Sequence, residues 1–114
     1  MKPVKTLLLF MSISMAGVAL LSLNGMHTGP AAPSFEREVF PLIKAKCNTK
    51  DCHNVQRNNP VFTTYDGIKP HARRILKRIK DRSIPMPPRD SGVVLTKEEI
   101  DTIEAWVNAG APKN

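Results

Sequence analysis

An all-α fold is what this sequence predicts, and three observations carry the prediction. Apolar residues recur at helical spacing in separate segments, no segment sustains the strict alternation of a half-buried strand, and the last periodic segment opens on a helix-capping sequence. The regular part is short enough to form one domain.

The chain begins outside that pattern. Met1 to Lys5 carries Lys2 and Lys5, and Thr6 to Leu23 then runs without a charge. A basic stretch ahead of an apolar one is the layout of a secretory signal. The run also approaches the roughly 17 residues of the shortest bilayer-spanning helix. Residues 1–33 are therefore read as a signal peptide or an N-terminal membrane anchor, followed by the linker N-G-M-H-T-G-P-A-A-P, and residues 34–114 as the folded domain. Either reading exports the domain, to the periplasm or the outer face of the cytoplasmic membrane.

Within the domain, Phe35, Val39, Leu42 and Ile43 mark an amphipathic helix that leads to Cys47, with Pro41 disturbing its start. Asn54 to Pro60 is polar and reads as a loop. Thr63 to Lys69 predicts a short helix, and Pro70 opens or kinks the next. That helix, from His71 to about Arg82, puts Ala72, Ile75, Leu76 and Ile79 on one side and Arg73, Arg74, Lys77, Arg78 and Lys80 on a wet face. Thr96-Lys97-Glu98-Glu99 is a capping box, Ile100, Ile103, Trp106 and Val107 form an apolar stripe, and Gly110 with Pro112 ends the helix.

The chemistry is concentrated in Cys47-Asn48-Thr49-Lys50-Asp51-Cys52-His53, which holds both cysteines of the chain. Two thiols can add across the vinyl groups of a haem, and an imidazole beside the second can ligate its iron. The common spacing is C-x-x-C-H; four residues separate the cysteines here. A disulfide, a zinc site made with His53 and His71, and a pair of buried thiols are the competing readings of this heptapeptide. The small core favours a cofactor, because residues 34–114 contain only Phe35, Phe40, Phe62, Tyr65 and Trp106 as aromatics and a domain of this size needs something beyond its own apolar side chains.

A second ligand is suggested by Ser83-Ile84-Pro85-Met86-Pro87-Pro88. Met86 is the sole methionine of residues 34–114, and prolines on both sides keep it out of any helix. A thioether opposite His53 would fill both axial positions of a haem iron and raise its potential relative to two imidazoles.

Together these segments resemble the small bacterial class I c-type cytochromes over about Val39 to Pro112. The resemblance rests on V-F-P-L-I-K-A-K-C before the attachment site, C-H at Cys52-His53, M-P-P from Met86, and L-T-K-E-E-I-D-T-I-E-A-W-V-N-A-G-A-P from Leu95 to Pro112. It implies a small helical domain wrapped around one covalently bound haem c. Cys47 and Cys52 would be the thioether sites, His53 the proximal and Met86 the distal iron ligand. The family's first and last helices cross near the haem, which would set Ile103 and Trp106 against the N-terminal helix. The implied activity is electron transfer, with no catalytic residues and no substrate.

Charge bears on partners. Without Lys2 and Lys5 the remaining chain carries 15 basic and 10 acidic residues, a net +5, and the basic residues concentrate between Lys69 and Arg82. An acidic redox protein is the partner this helix would steer; the maturation machinery that attaches haem and a possible membrane tether complete the expected set. Nucleic acid is not expected, because no aromatic stacking platform accompanies the charge. Two other functions are weighed against electron transfer: a gas sensor or peroxidase-like protein whose Met86 is displaceable, and a structural zinc or disulfide module. Within residues 34–114, His71 is the one further residue able to offer a second imidazole.

Overall fold

The computed structural model describes residues 29–50, 52–54 and 59–114; the N-terminal apolar run lies outside the described residues. Every regular element among them is helical, as the periodicity predicts. None is long and apolar enough to cross a membrane.

Ser34 starts the first helix by serving both sides of its cap. Its hydroxyl accepts the Arg37 amide at 3.4 Å, and its own amide donates to the Glu38 carboxylate at 2.7 Å. The first turn, Phe35–Val39, is π-helical and runs directly into α1, Phe40–Lys46. This corrects the single regular helix expected here, and Pro41 supplies the reason. Its nitrogen has no hydrogen for the carbonyl four residues back, and its ring crowds that carbonyl. The turn just ahead is wider, with the Phe40 amide reaching the Phe35 carbonyl. Phe35, Val39 and Ile43 all remain buried across the change.

The short helix α2, Tyr65–Ile68, is capped by the Thr64 hydroxyl, which accepts the Gly67 amide at 3.2 Å. Only glycine fits at 67, because a Cβ there would lie 2.6 Å from the Val61 carbonyl oxygen. Pro70 sits in a 3-10 turn, Lys69–His71, that leads into α3, Ala72–Lys80. Proline at the start of a helical path costs no hydrogen bond. α3 stops two residues before the expected Arg82, because Asp81 is extended at φ −73°, ψ 129°. A second 3-10 turn, Arg89–Ser91, precedes α4, Lys97–Asn108.

Both ends of α4 match the sequence reading. The Glu99 amide donates to the Thr96 hydroxyl at 3.2 Å and the Thr96 amide to the Glu99 carboxylate at 2.8 Å. At the far end Gly110 takes φ 90°, the Gly110 amide donates to the Val107 carbonyl at 3.0 Å, and the Ala111 amide donates to the Trp106 carbonyl at 2.9 Å. This is the paired pattern of a Schellman cap, whose left-handed residue is cheapest as glycine. The Lys69 ammonium closes over the same end, donating to the carbonyls of Gly110 and, at 2.7 Å, Ala111.

The core forms where these elements meet. Phe35 lies against Trp106 with ring centroids 5.6 Å apart and meets the edge of Tyr65 at 5.0 Å, so the first and last helices pack together through one aromatic group. The Tyr65 hydroxyl donates to the Ala111 carbonyl at 2.8 Å, and the Trp106 indole N–H donates to the Pro112 carbonyl at 2.8 Å. Each aromatic thus buries its ring and satisfies its polar end. Val39, Ile43, Ile68, Ile103 and Trp106 are fully enclosed, and α3 joins them by packing Ala72 and Ile75 inward along α4.

Candidate functional site

Among the described residues a concavity of about 940 Å³ lies between the loop after α1, the cavity side of α3 and the proline-rich loop. Its lining includes Cys47, Cys52, His53 and Met86. All four residues singled out in the sequence therefore face the same space, although 39 positions separate Cys47 from Met86.

Cys47 is placed by the end of α1, its amide bonded to the Ile43 carbonyl at 2.8 Å. The loop then closes on itself. The His53 amide donates to the Cys47 carbonyl at 3.1 Å, and within that ring the Cys52 amide donates to the Thr49 carbonyl at 3.0 Å. The Thr49 hydroxyl donates to the Cys52 sulfur at 3.2 Å. The residues that lengthen the spacing are taken up by the Thr49-to-Cys52 turn, while Cys47 and His53 keep a direct backbone link. Asn48 fastens the loop from below, its side-chain amide donating to the Phe62 carbonyl at 2.7 Å. Both thiols are free. Burial, with a smaller contribution from neighbouring Cys52, pushes the Cys47 thiol up to about 11, so it is protonated at neutral pH and a weak nucleophile there.

His53 is held in one orientation. Its ring stacks on Phe62 with centroids 4.3 Å apart and planes 16° from parallel, and the Phe62 amide donates to the His53 carbonyl at 2.8 Å. Nδ1 lies 2.7 Å from the Pro60 carbonyl oxygen. A carbonyl oxygen only accepts, so Nδ1 carries the hydrogen and Nε2 keeps its lone pair. This backbone-anchored tautomer is the one a metal-ligating imidazole uses.

Met86 reaches the same cavity from the proline-rich loop. Its amide donates to the Arg78 carbonyl at 3.0 Å, the Met86–Pro87 peptide is cis, and its side chain is 36 % exposed. Apolar contacts of the cavity come from Val61, Phe62, Ile75, Ile79, Pro87 and Pro88.

The sequence reading missed part of the lining. Arg74 and Arg78 belong to the cavity, together with His71 and Lys46, and not wholly to a wet outer face. On α3 the basic residues separate into two stripes: Arg74 and Arg78 beside Ile75 and Ile79 at the cavity, and Arg73, Lys77 and Lys80 in a smaller groove with Leu76 and Val107. The spacing of 71, 74 and 78, with 75 and 79 between them, is one helical stripe, and that signal was present in the sequence. Among the described residues the charged groups lining the cavity are Lys46, Arg74 and Arg78, so that part of its wall is electropositive. His71 is the residue before α3, and its side chain makes no cap hydrogen bond.

Among the described residues no three His, Cys, Asp or Glu side chains converge as a metal-binding group. The zinc set of Cys47, Cys52, His53 and His71 is therefore not assembled. No protein-family model, curated protein or solved structure matches the chain.

Proposed function

We propose that this chain is a mono-haem c-type cytochrome that carries electrons outside the cytoplasm, its helices enclosing one haem attached through Cys47 and Cys52. The observation that carries this reading is the cavity itself. It brings two free thiols, one imidazole with a committed tautomer and the domain's one thioether to a single apolar and electropositive space, of a size within the roughly 300–1,000 Å³ typical of cofactor sites. The donor set fits the group: two thiols for thioether bonds, Nε2 of His53 for one axial position and the Met86 sulfur for the other. When bound, the haem iron supplies a reversible one-electron change.

The chain's own residues define how that change is used. The Pro60 carbonyl and the Phe62 ring fix the His53 imidazole, and Pro87 and Pro88 with Ile75 and Ile79 give the cavity wall apolar surface. A Cys47 thiol pushed up by burial would be a weak nucleophile at neutral pH, which suits attachment assisted by a maturation machinery. With His53 and Met86 both holding the iron, no position would be left for a substrate, and the task would reduce to setting a potential and exchanging electrons.

Expression in a cytochrome-maturing host tests the reading directly. The purified protein should be red, and its haem should stay with the polypeptide through denaturation and acid-acetone extraction. A paired Cys47→Ser, Cys52→Ser variant should release it. Colourless wild-type protein from such a host would sink the assignment.

The basic residues around α3 suit an acidic redox partner. Electron exchange with such a partner should slow by about tenfold or more between low and physiological ionic strength, as screening shortens the Debye length from about 30 to 8 Å. Rates independent of salt would remove electrostatic docking from the proposal.

A further inference from the structure

The loop that carries Met86 is fixed to α3 by very few groups. The Met86 amide and the Asp81 amide both reach the Arg78 carbonyl, at 3.0 and 3.3 Å. Between them, Oδ1 of Asp81 accepts the Ser83 amide at 2.7 Å and the Ile84 amide at 3.1 Å. A side-chain oxygen that takes two successive amides in this way performs the office of a turn carbonyl.

Beyond the Arg89 guanidinium, which donates to the Arg82 carbonyl across the loop, little else holds the segment. Pro85, Pro87 and Pro88 have no N–H to give, and Ile84 is 60 % exposed, so it adds no core contact. Arg82, Ser83, Ile84 and Met86 are the only residues from 82 to 88 with a backbone amide; two of those amides go to Asp81 and one to Arg78. The Asp81 carboxyl is held below the usual carboxylate range, first by the Ile84 amide and then by the Ser83 amide, with Arg78 and Lys77 adding smaller attractions. The carboxylate is thus ionised, and as an acceptor it makes both bonds charge-assisted.

We propose that Asp81 is a positioning residue for the axial methionine: its carboxylate sets the turn that keeps the Met86 sulfur on the cavity wall, without itself lining the cavity. The proposal rests on the reading of Met86 as an iron ligand. It makes the lability of that ligand depend on a surface side chain five residues away.

The test compares haem-loaded wild type with D81A, D81N, D90A and M86A. Two quantities are read: the far-red absorption of sulfur-ligated ferric haem, and the affinity for added cyanide, which enters by displacing the methionine. D81A should bind cyanide at least tenfold more tightly and lose intensity in the sulfur band. D81N keeps an oxygen that can accept both amides but loses the charge assistance, and should fall between wild type and D81A. D90A removes the same charge from the neighbouring 3-10 turn and should change neither quantity. A D81A protein with wild-type cyanide affinity overturns the proposal, as does a D81N protein that falls with D81A, which would assign the effect to charge alone. If D81A does not fold, D81E replaces it, because it keeps the charge and moves the oxygen, and the same tenfold change is expected. A wild-type spectrum identical to that of M86A overturns Met86 ligation and the role of Asp81 with it; a wild type distinct from M86A but equal to D81A removes the positioning role alone.

Discussion

Replacing Met86 by alanine should leave the haem covalently attached and open one axial position of its iron. In the proposed cytochrome, attachment would depend on Cys47 and Cys52 in the loop after α1, and the thioether would come from the separate proline-rich loop. A thioether ligand favours ferrous iron, so its loss should lower the reduction potential by more than about 0.1 V, a modest part of the roughly 0.8 V that axial ligands command. At about 59 mV per tenfold for one electron, such a fall shifts the ferric-to-ferrous balance by about fiftyfold or more. A potentiometric titration followed in the visible range measures it. If potential and spectrum stay as they were, Met86 is not a ligand. The same variant separates electron transfer from gas sensing or peroxide chemistry: those functions require a wild type that already binds carbon monoxide or cyanide as readily as Met86→Ala does.

Trp106→Ala should produce the largest loss of stability. Trp106 is fully buried, its ring lies against Phe35, and its indole N–H is bonded to the Pro112 carbonyl. Truncating a buried tryptophan costs about 3–5 kcal/mol, and the variant also leaves the Pro112 carbonyl without its donor, an addition of about 1 kcal/mol. Domains of this size hold about 5–15 kcal/mol in total at best, so most of the margin goes. Urea unfolding followed by far-ultraviolet circular dichroism should show the midpoint collapse toward zero denaturant. A loss below about 1 kcal/mol would mean that Trp106 is not the joint between the first and last helices.

Periodicity and capping made the helical class legible, because those signals are local. Thr96, Glu99, Gly110 and the apolar stripe of α4 act on neighbours within a turn or two, and each appears in the structure as the sequence implies. The π-helical start of the first helix was less legible. Pro41 signalled a disturbance, but its form depends on keeping Phe35, Val39 and Ile43 inward together, which is settled by packing against α4.

The site divides in the same way. Cys47, Cys52, His53 and Met86 were named from residue type, and the structure brings them to one cavity. Arg74 and Arg78 were placed largely on the wet face of α3, and Arg74 is exposed; that both also line the cavity was not read, because a periodicity argument ranks positions by apolarity alone. The hydrogen bond between His53 and the Pro60 carbonyl was out of reach, since it depends on how the polar loop folds back.

The turn from Thr49 to Cys52 changes what the unusual cysteine spacing means. When both sulfurs are tied to one rigid group, the intervening chain becomes a closed ring, and its cost is the conformational freedom surrendered on closure. That cost grows only as about (3/2)RT times the logarithm of loop length, so lengthening a closed stretch of four residues to six adds about 0.4 kcal/mol. The Thr49 carbonyl and hydroxyl have already ordered part of this stretch in the free chain, which lowers the remaining entropic demand. A ring of this length would therefore be nearly neutral for the folded protein, and any preference for a shorter spacing would have to arise while the bonds are made.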